Sequence, residues 1–168
     1  MKNYDVCVIG GCGHVGLPLA LCFADKDLKV SVYDINQSAV DMVNNAEMPF
    51  METGCDKILN ERVGKNLHVT TDPGIIKDAK YVVIVIGTPV DEFLNPDRVI
   101  FKEFIKENYQ YFADGQTLIL RSTVFPGTTD WLNGYLTEKE KNINVAFCPE
   151  RIAEGKAIEE IYNLPQIV

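Results

Sequence analysis

The stretch Val6-Cys7-Val8-Ile9-Gly10-Gly11-Cys12-Gly13-His14-Val15-Gly16-Leu17-Pro18 decides the fold, because it carries an apolar run into a helix through a loop rich in glycine. Gly11, Gly13 and Gly16 have the G-x-G-x-x-G spacing. In a dinucleotide-binding turn the first glycine permits the tight turn, the second lets backbone approach a pyrophosphate, and the third lets helix pack on strand. A diphosphate placed there meets unpaired amides and the positive end of a helix dipole, so it needs no basic side chain. Taken alone, the motif also fits a glycine-rich turn in some unrelated loop. Its context favours the nucleotide. The motif follows a β-branched run directly and precedes Leu17 to Ala24, an apolar stretch of helix-forming residues. Leu28 to Tyr33 reads as the next strand, and it ends at Asp34, eighteen residues after Gly16, about where an acid that binds ribose belongs.

The 168 residues have room for about one domain, and 46% hydrophobic content suffices for a sizeable core. A formal charge of -8 and an isoelectric point near 4.7 argue against nucleic-acid or anionic-membrane partners, which call for a basic footprint. The first apolar run is short and broken by glycines, so neither a secretory signal nor a transmembrane span is expected. Five cysteines without C-x-x-C pairs fit reduced thiols in the cytoplasm, and with only His14 and His68 no metal site is expected.

Along the chain, strands are expected at Asp5 to Ile9, Lys29 to Asp34, Leu67 to Thr70, Tyr81 to Ile86, Thr117 to Leu120 and Ile143 to Phe147. Helices are expected at His14 to Asp25, from an Asn36 cap to about Asn45, at Asp56 to Arg62, Pro73 to Asp78, Val99 to Tyr111 and around Trp131 to Thr137, with a last helical segment after the sixth strand. Met48 to Gly54 breaks the periodicity and reads as an insertion. The alternation predicts an α/β fold, a doubly wound and mainly parallel sheet of Rossmann type with helices on both faces. Three loops follow strands directly and can converge on the crevice holding the glycine turn: 87–91, 122–129 and 149–156.

Taken together, Gly13-His14-Val15-Gly16-Leu17-Pro18, Gly87-Thr88-Pro89, Ser122-Thr123-Val124 with Pro126-Gly127-Thr128, and Pro149-Glu150-Arg151 with Glu154-Gly155 resemble the N-terminal part of the UDP-glucose/GDP-mannose dehydrogenase family. The resemblance covers essentially all 168 residues, and Cys148-Pro149-Glu150-Arg151 with the ending Leu164 to Val168 is most similar to the branch that oxidises UDP-N-acetylmannosamine. It implies NAD as cofactor and a UDP-sugar as substrate, oxidised at its primary alcohol to the uronate in two hydride transfers. UDP-glucose and UDP-N-acetylglucosamine are alternative substrates. A non-catalytic NAD-binding module is the alternative of another class. The family's nucleophile is a cysteine in a Gly-x-Cys-x-Pro-x-Asp stretch, which traps the aldehyde and passes through a thioester. None of the five cysteines matches that stretch. Residues 1–168 are therefore expected to be an NAD-binding Rossmann domain, a fragment lacking the central helix and the UDP-sugar domain, of a protein that forms a homodimer at full length.

The resemblance assigns Gly11, Gly13, His14, Val15, Gly16, Asp34, Thr88 and Thr123 to the cofactor, Thr123, Glu150 and Glu154 to catalysis, and Arg151 with Ile152 to the substrate. Each has a plainer reading. Asp34 can simply end a strand or cap the next helix, although no arginine follows it to receive a 2′-phosphate, which favours NAD over NADP. The His14 imidazole can be a bystander beside its own amide. Thr88 can cap the turn before Pro89, and Thr123 can satisfy its own turn. Glu150 and Glu154 can be first-turn acids that complement a helix dipole. In the functional reading they flank the sugar, where a carboxylate accepts a proton or positions water. Arg151 can be a surface residue, but an acidic chain that binds an anionic sugar diphosphate needs local cations. Cys7 and Cys22 are expected in the core, Cys12 against the pyrophosphate and Cys55 in the insertion, which leaves Cys148 alone on the active face.

Overall fold

The chain was analysed as a computed structural model, which describes residues 2–87, 99–153 and 155–165. Six strands form one parallel sheet: β1 (Tyr4–Ile9), β2 (Val30–Tyr33), β3 (Leu67–Thr70), β4 (Ala79–Ile84), β5 (Thr117–Leu120) and β6 (Asn144–Phe147). Their spatial order is β3-β2-β1-β4-β5-β6, so the winding reverses between β1 and β4. There Val8 stands level with Val32 on one side and Val83 on the other. The doubly wound parallel sheet expected from the alternation of elements is the one observed.

Side-chain alternation along β1 explains why both faces need helices. Val6 and Val8 join a core built from α1 (Gly16–Asp25), α2 (Gln37–Asn44) and α3 (Cys55–Arg62), while Cys7 and Ile9 join a second core under α4 (Val99–Asn108) and α5 (Thr128–Glu138). Leu17, Leu21, Leu59, Ile105, Leu132 and Leu136 are all buried, each contributing about 1.5–3 kcal/mol. The last helix, α6 (Ala157–Asn163), packs on α1, where the Tyr162 hydroxyl donates to Asp25 Oδ2 at 3.3 Å. Among the described residues no helix is long and apolar enough to cross a membrane.

Several boundaries differ from the sequence reading for local reasons. The first helix starts at Gly16 rather than His14, because Pro18 has no N–H and fits only in the first helical turn. β4 runs from Ala79 to Ile84, and Val85 makes one further bond to Ile9 O (2.9 Å) before the chain leaves the sheet. The expected helix to Tyr111 is α-helical to Asn108 and tightens into a 3-10 turn over Tyr109–Tyr111, and Pro73–Asp78 is also a 3-10 turn. α5 begins at Thr128, three residues before Trp131, because Gly127 (φ +82°) turns the chain directly into it. Asn36 caps α2 as expected, accepting from Ala39 N at 3.2 Å. Cys55 and Leu59 of α3 are fully buried, and Met48 and Phe50 of the insertion pack against the same first core.

Gln116 is fully buried at the start of β5. Its Nε2 donates to Ile76 O and Ala79 O, both at 2.8 Å, and its Oε1 accepts from Ala113 N at 2.7 Å. Gln116→Leu strands three backbone groups, and a loss of about 3 kcal/mol or more is expected in urea unfolding.

Burial pushes the thiols of Cys7, Cys12 and Cys55 up to about 12 and that of Cys22 up to about 11, from an ordinary 9.0. A thiol that ionises only in the unfolded chain adds stability below pH ~9, and that stability is lost as pH rises through the folded values. The urea midpoint is therefore expected to fall steadily from pH 8.5 to pH 11. At pH 8 a thiol reagent should titrate one cysteine in the folded chain, the half-exposed Cys148, and all five after unfolding.

Candidate functional site

Where the winding reverses, the loops after β1, β4, β5 and β6 enclose a cleft of about 370 Å³. Its first wall is the turn from Gly10 to Gly16. Gly10 has φ +72°, and a Cβ there would stand 2.2 Å from Val85 O, so the chain passes under the exit of β4 only as glycine. A Cβ on Gly16 would meet Gly10 O at 2.4 Å, which is the helix-on-strand packing that the spacing assigns to the third glycine. The positive-φ turn thus falls on Gly10, a residue the motif reading did not single out. The doubled Gly10-Gly11 was its signal. Gly11 lies against Val32 and Val8 and does not line the cleft.

Gly13, His14, Val15 and Gly16 do line it. Gly13 is open, with Gly10 O at 3.7 Å from an added Cβ, so another backbone or a phosphate can come close. α1 has no acidic residue in its first turn and no side-chain cap. Leu17 N donates to Gly13 O (3.0 Å) and Pro18 has no N–H, so the amides that face an anion without a backbone partner among the described residues are those of His14, Val15 and Gly16. Asp34, at the end of β2, accepts from Cys12 N at 2.9 Å through Oδ2 and from Asn36 N at 3.0 Å through Oδ1. The acid therefore buckles the glycine turn to β2 and keeps lone pairs for a further donor. The Cys12 side chain is buried in the first core and stays out of the cleft, contrary to the expectation that it would crowd the pyrophosphate. The His14 ring lies on Phe50, centroids 4.1 Å apart and 30° between planes. These features fit a dinucleotide.

The second wall comes from the loops after β4, β5 and β6. Ser122 is buried and donates to Ile86 O at 2.8 Å, tying the exits of β4 and β5 together. It was quoted in the sequence motif without a role. Thr123 lines the cleft, is exposed, and its hydroxyl makes no hydrogen bond to any described residue, unlike a hydroxyl that satisfies its own turn. Glu150 and Arg121 form a buried ion pair between Oε2 and Nη2. The other carboxylate oxygen accepts from Arg151 N (2.6 Å) and Ile152 N (3.0 Å), and Arg121 Nη1 reaches Cys148 O (3.3 Å) and Sγ (3.2 Å). Arg121 was passed over in the sequence because nothing marks its register as buried. Ile152 lines the cleft. Arg151 does not: it is exposed, and its guanidinium donates to Pro165 O. Thr88 and Glu154 lie outside the described residues.

Residues 4–168 match the UDP-glucose/GDP-mannose dehydrogenase family, NAD binding domain. The UDP-N-acetyl-D-mannosamine dehydrogenase of Salmonella typhimurium is 30% identical over 171 residues, covering 94% of this chain and 40% of that protein. The NDP-N-acetyl-D-galactosaminuronic acid dehydrogenase of Ralstonia solanacearum is also 30% identical, with the same coverage. The crystal structure of GDP-mannose dehydrogenase from Pseudomonas aeruginosa superposes with a TM-score of 0.85 at 26% identity, over 98% of this chain and 39% of that one. This chain thus spans about two fifths of the length of each. Matched by that family model over nearly its whole length, the chain belongs to the UDP-glucose/GDP-mannose dehydrogenase family, as an NAD-binding domain.

Proposed function

We propose that this chain is the cofactor-holding part of an enzyme that oxidises the primary alcohol of a UDP-sugar to the carboxylate, with UDP-N-acetylmannosamine the favoured substrate. The observation that carries this reading is the facing of two walls across one cleft: the amides of His14, Val15 and Gly16 at the start of α1 on one side, Thr123, Glu150 and Ile152 on the other. Relatives named for UDP-N-acetyl-D-mannosamine support the choice of sugar. NAD bound here supplies the hydride acceptor. Gly13 to Gly16 hold its diphosphate by backbone, and Asp34 accepts from a ribose hydroxyl. Thr123 offers a free hydroxyl at the cleft mouth, where it can orient a substrate oxygen or a water. Glu150, already ion-paired and accepting two backbone amides, holds the loop after β6 in place beside the reacting groups. Five free thiols suit a reducing cytoplasm.

Two measurements test the reading. Asp34 would repel a 2′-phosphate, and neither Ile35 nor Asn36 supplies a compensating charge. Fluorescence titration should show tighter binding of NADH than of NADPH, and Asp34→Asn should weaken NADH by about 1–3 kcal/mol. Equal affinity for the two nucleotides removes Asp34 from the ribose site. The second measurement concerns turnover. A nucleophilic thiol must be ionisable and accessible, yet four of the five are buried with raised values, and Cys148 stands outside the Gly-x-Cys-x-Pro-x-Asp stretch that the resemblance requires. Incubated with NAD and UDP-N-acetylmannosamine, these 168 residues alone are expected to form no uronate. Stoichiometric uronate abolished by Cys148→Ala would make Cys148 the nucleophile.

A further inference from the structure

Glu52 lies in the insertion between α2 and α3, only 4% exposed, and among the described residues no cation pairs with it. A buried carboxylate is tolerated where hydrogen-bond donors replace its water. Here the donors are backbone amides more than 100 residues away in sequence. Oε2 accepts from Gly155 N at 2.8 Å and Oε1 from Ala157 N at 2.9 Å. The loop after β6 is thereby held by a carboxylate at each end: Glu150 against Arg121 at its start, and Glu52 at its finish. Two residues before Glu52, Phe50 lies on the ring of His14, whose residue lines the phosphate side of the cleft.

We infer that the segment Phe50 to Glu52 couples the phosphate-binding turn to the loop after β6, with Glu52 as the positioning residue for that loop. The inference rests on the proposed cofactor site for its ligand, and on geometry alone for the anchor. A dinucleotide settling against His14 restrains the ring on which Phe50 lies. That restraint passes along two residues of chain to the carboxylate that fixes Gly155 and Ala157. The loop carrying Ile152 is then ordered by cofactor before any second substrate arrives. The two amides use separate oxygens of the carboxylate, and a glutamine in the same position would present one oxygen to one amide and an NH₂ donor to the other.

Amide hydrogen exchange read by NMR on the 168-residue chain tests this, with NADH as the probe. In the unsubstituted chain, saturating NADH should slow exchange at Gly155 and Ala157 at least threefold. Glu52→Gln should speed their resting exchange about tenfold, shift both amide protons upfield and remove the NADH effect, with the NADH dissociation constant changed less than twofold. Phe50→Leu, which keeps an apolar filler, should leave resting exchange alone and remove the NADH effect. A uniform rise in exchange across β1 to β5 in Glu52→Gln would make Glu52 a general stability residue and overturn the inference. Unchanged exchange at Gly155 and Ala157 would overturn it as well. NADH that fails to bind the unsubstituted chain would overturn the cofactor reading and the coupling together, while the resting exchange of Glu52→Gln still decides the anchor.

Discussion

The carbonyl oxygen of Val85 occupies the space in which a side chain on residue 10 would begin, 2.2 Å from an ideal Cβ. Both partners are backbone, so no rotamer change relieves the overlap. The constraint arises because β1 and β4 are neighbours at the reversal of winding, and the chain leaving β1 must pass beneath the chain leaving β4. Passing there as glycine, it brings Gly16 against Gly10 O and fixes where α1 begins. The direction in which the α1 amides face follows from that contact. A side chain at position 10 would separate the two loops and remove the first wall of the cleft.

The opposite wall rests on charge instead of on the absence of atoms. Arg121 and Glu150 are both nearly buried, and desolvating two ions offsets much of their mutual attraction. Their contribution is therefore to placement. One guanidinium touches the carboxylate and both Cys148 O and Sγ, so the chain leaving β6 is referred to the end of β5 at several points. A loop held only by apolar contact could slide along the sheet edge, whereas paired charges and directed amides define one position. Ser122 does the same for the exits of β4 and β5.

The sequence was readable where one period or one distance carried the information. The apolar run before the glycines, the helix after them and the eighteen-residue step to Asp34 are local, and the structure keeps all three. Element ends were less legible, because Pro18 and Gly127 move them by two or three residues through backbone limits that periodicity does not sense. Doubled glycines concealed which residue takes the positive φ, since Gly10-Gly11 offers two frames for one turn. Arg151 and Arg121 show the limit for side chains. Both are arginines near the expected site, yet the exposed one turns to Pro165 O and the buried one lines the cleft. Glu52 was illegible for another reason: its partners are more than 100 residues away, and nothing periodic surrounds it.

A chain with a formal charge of -8 that receives a diphosphate has to solve an electrostatic conflict. Surface charges separated by more than a Debye length, about 8 Å at physiological ionic strength, are largely screened, so the net charge acts weakly at the cleft. Inside the cleft the balance is set by the nearest groups. Arg121, the cation among the described lining residues, is matched by Glu150 and leaves no net positive side chain there. Attraction must then come from dipoles, and α1 supplies them without an acidic residue in its first turn to cancel their effect. Asp34 is held at the end of β2, bonded to Cys12 N, and under the proposed function its negative charge meets the ribose side of the cofactor and not the diphosphate. An acidic protein can thus hold an anion because amides, whose position is fixed by Gly10 and Gly16, do what lysines would otherwise have to do.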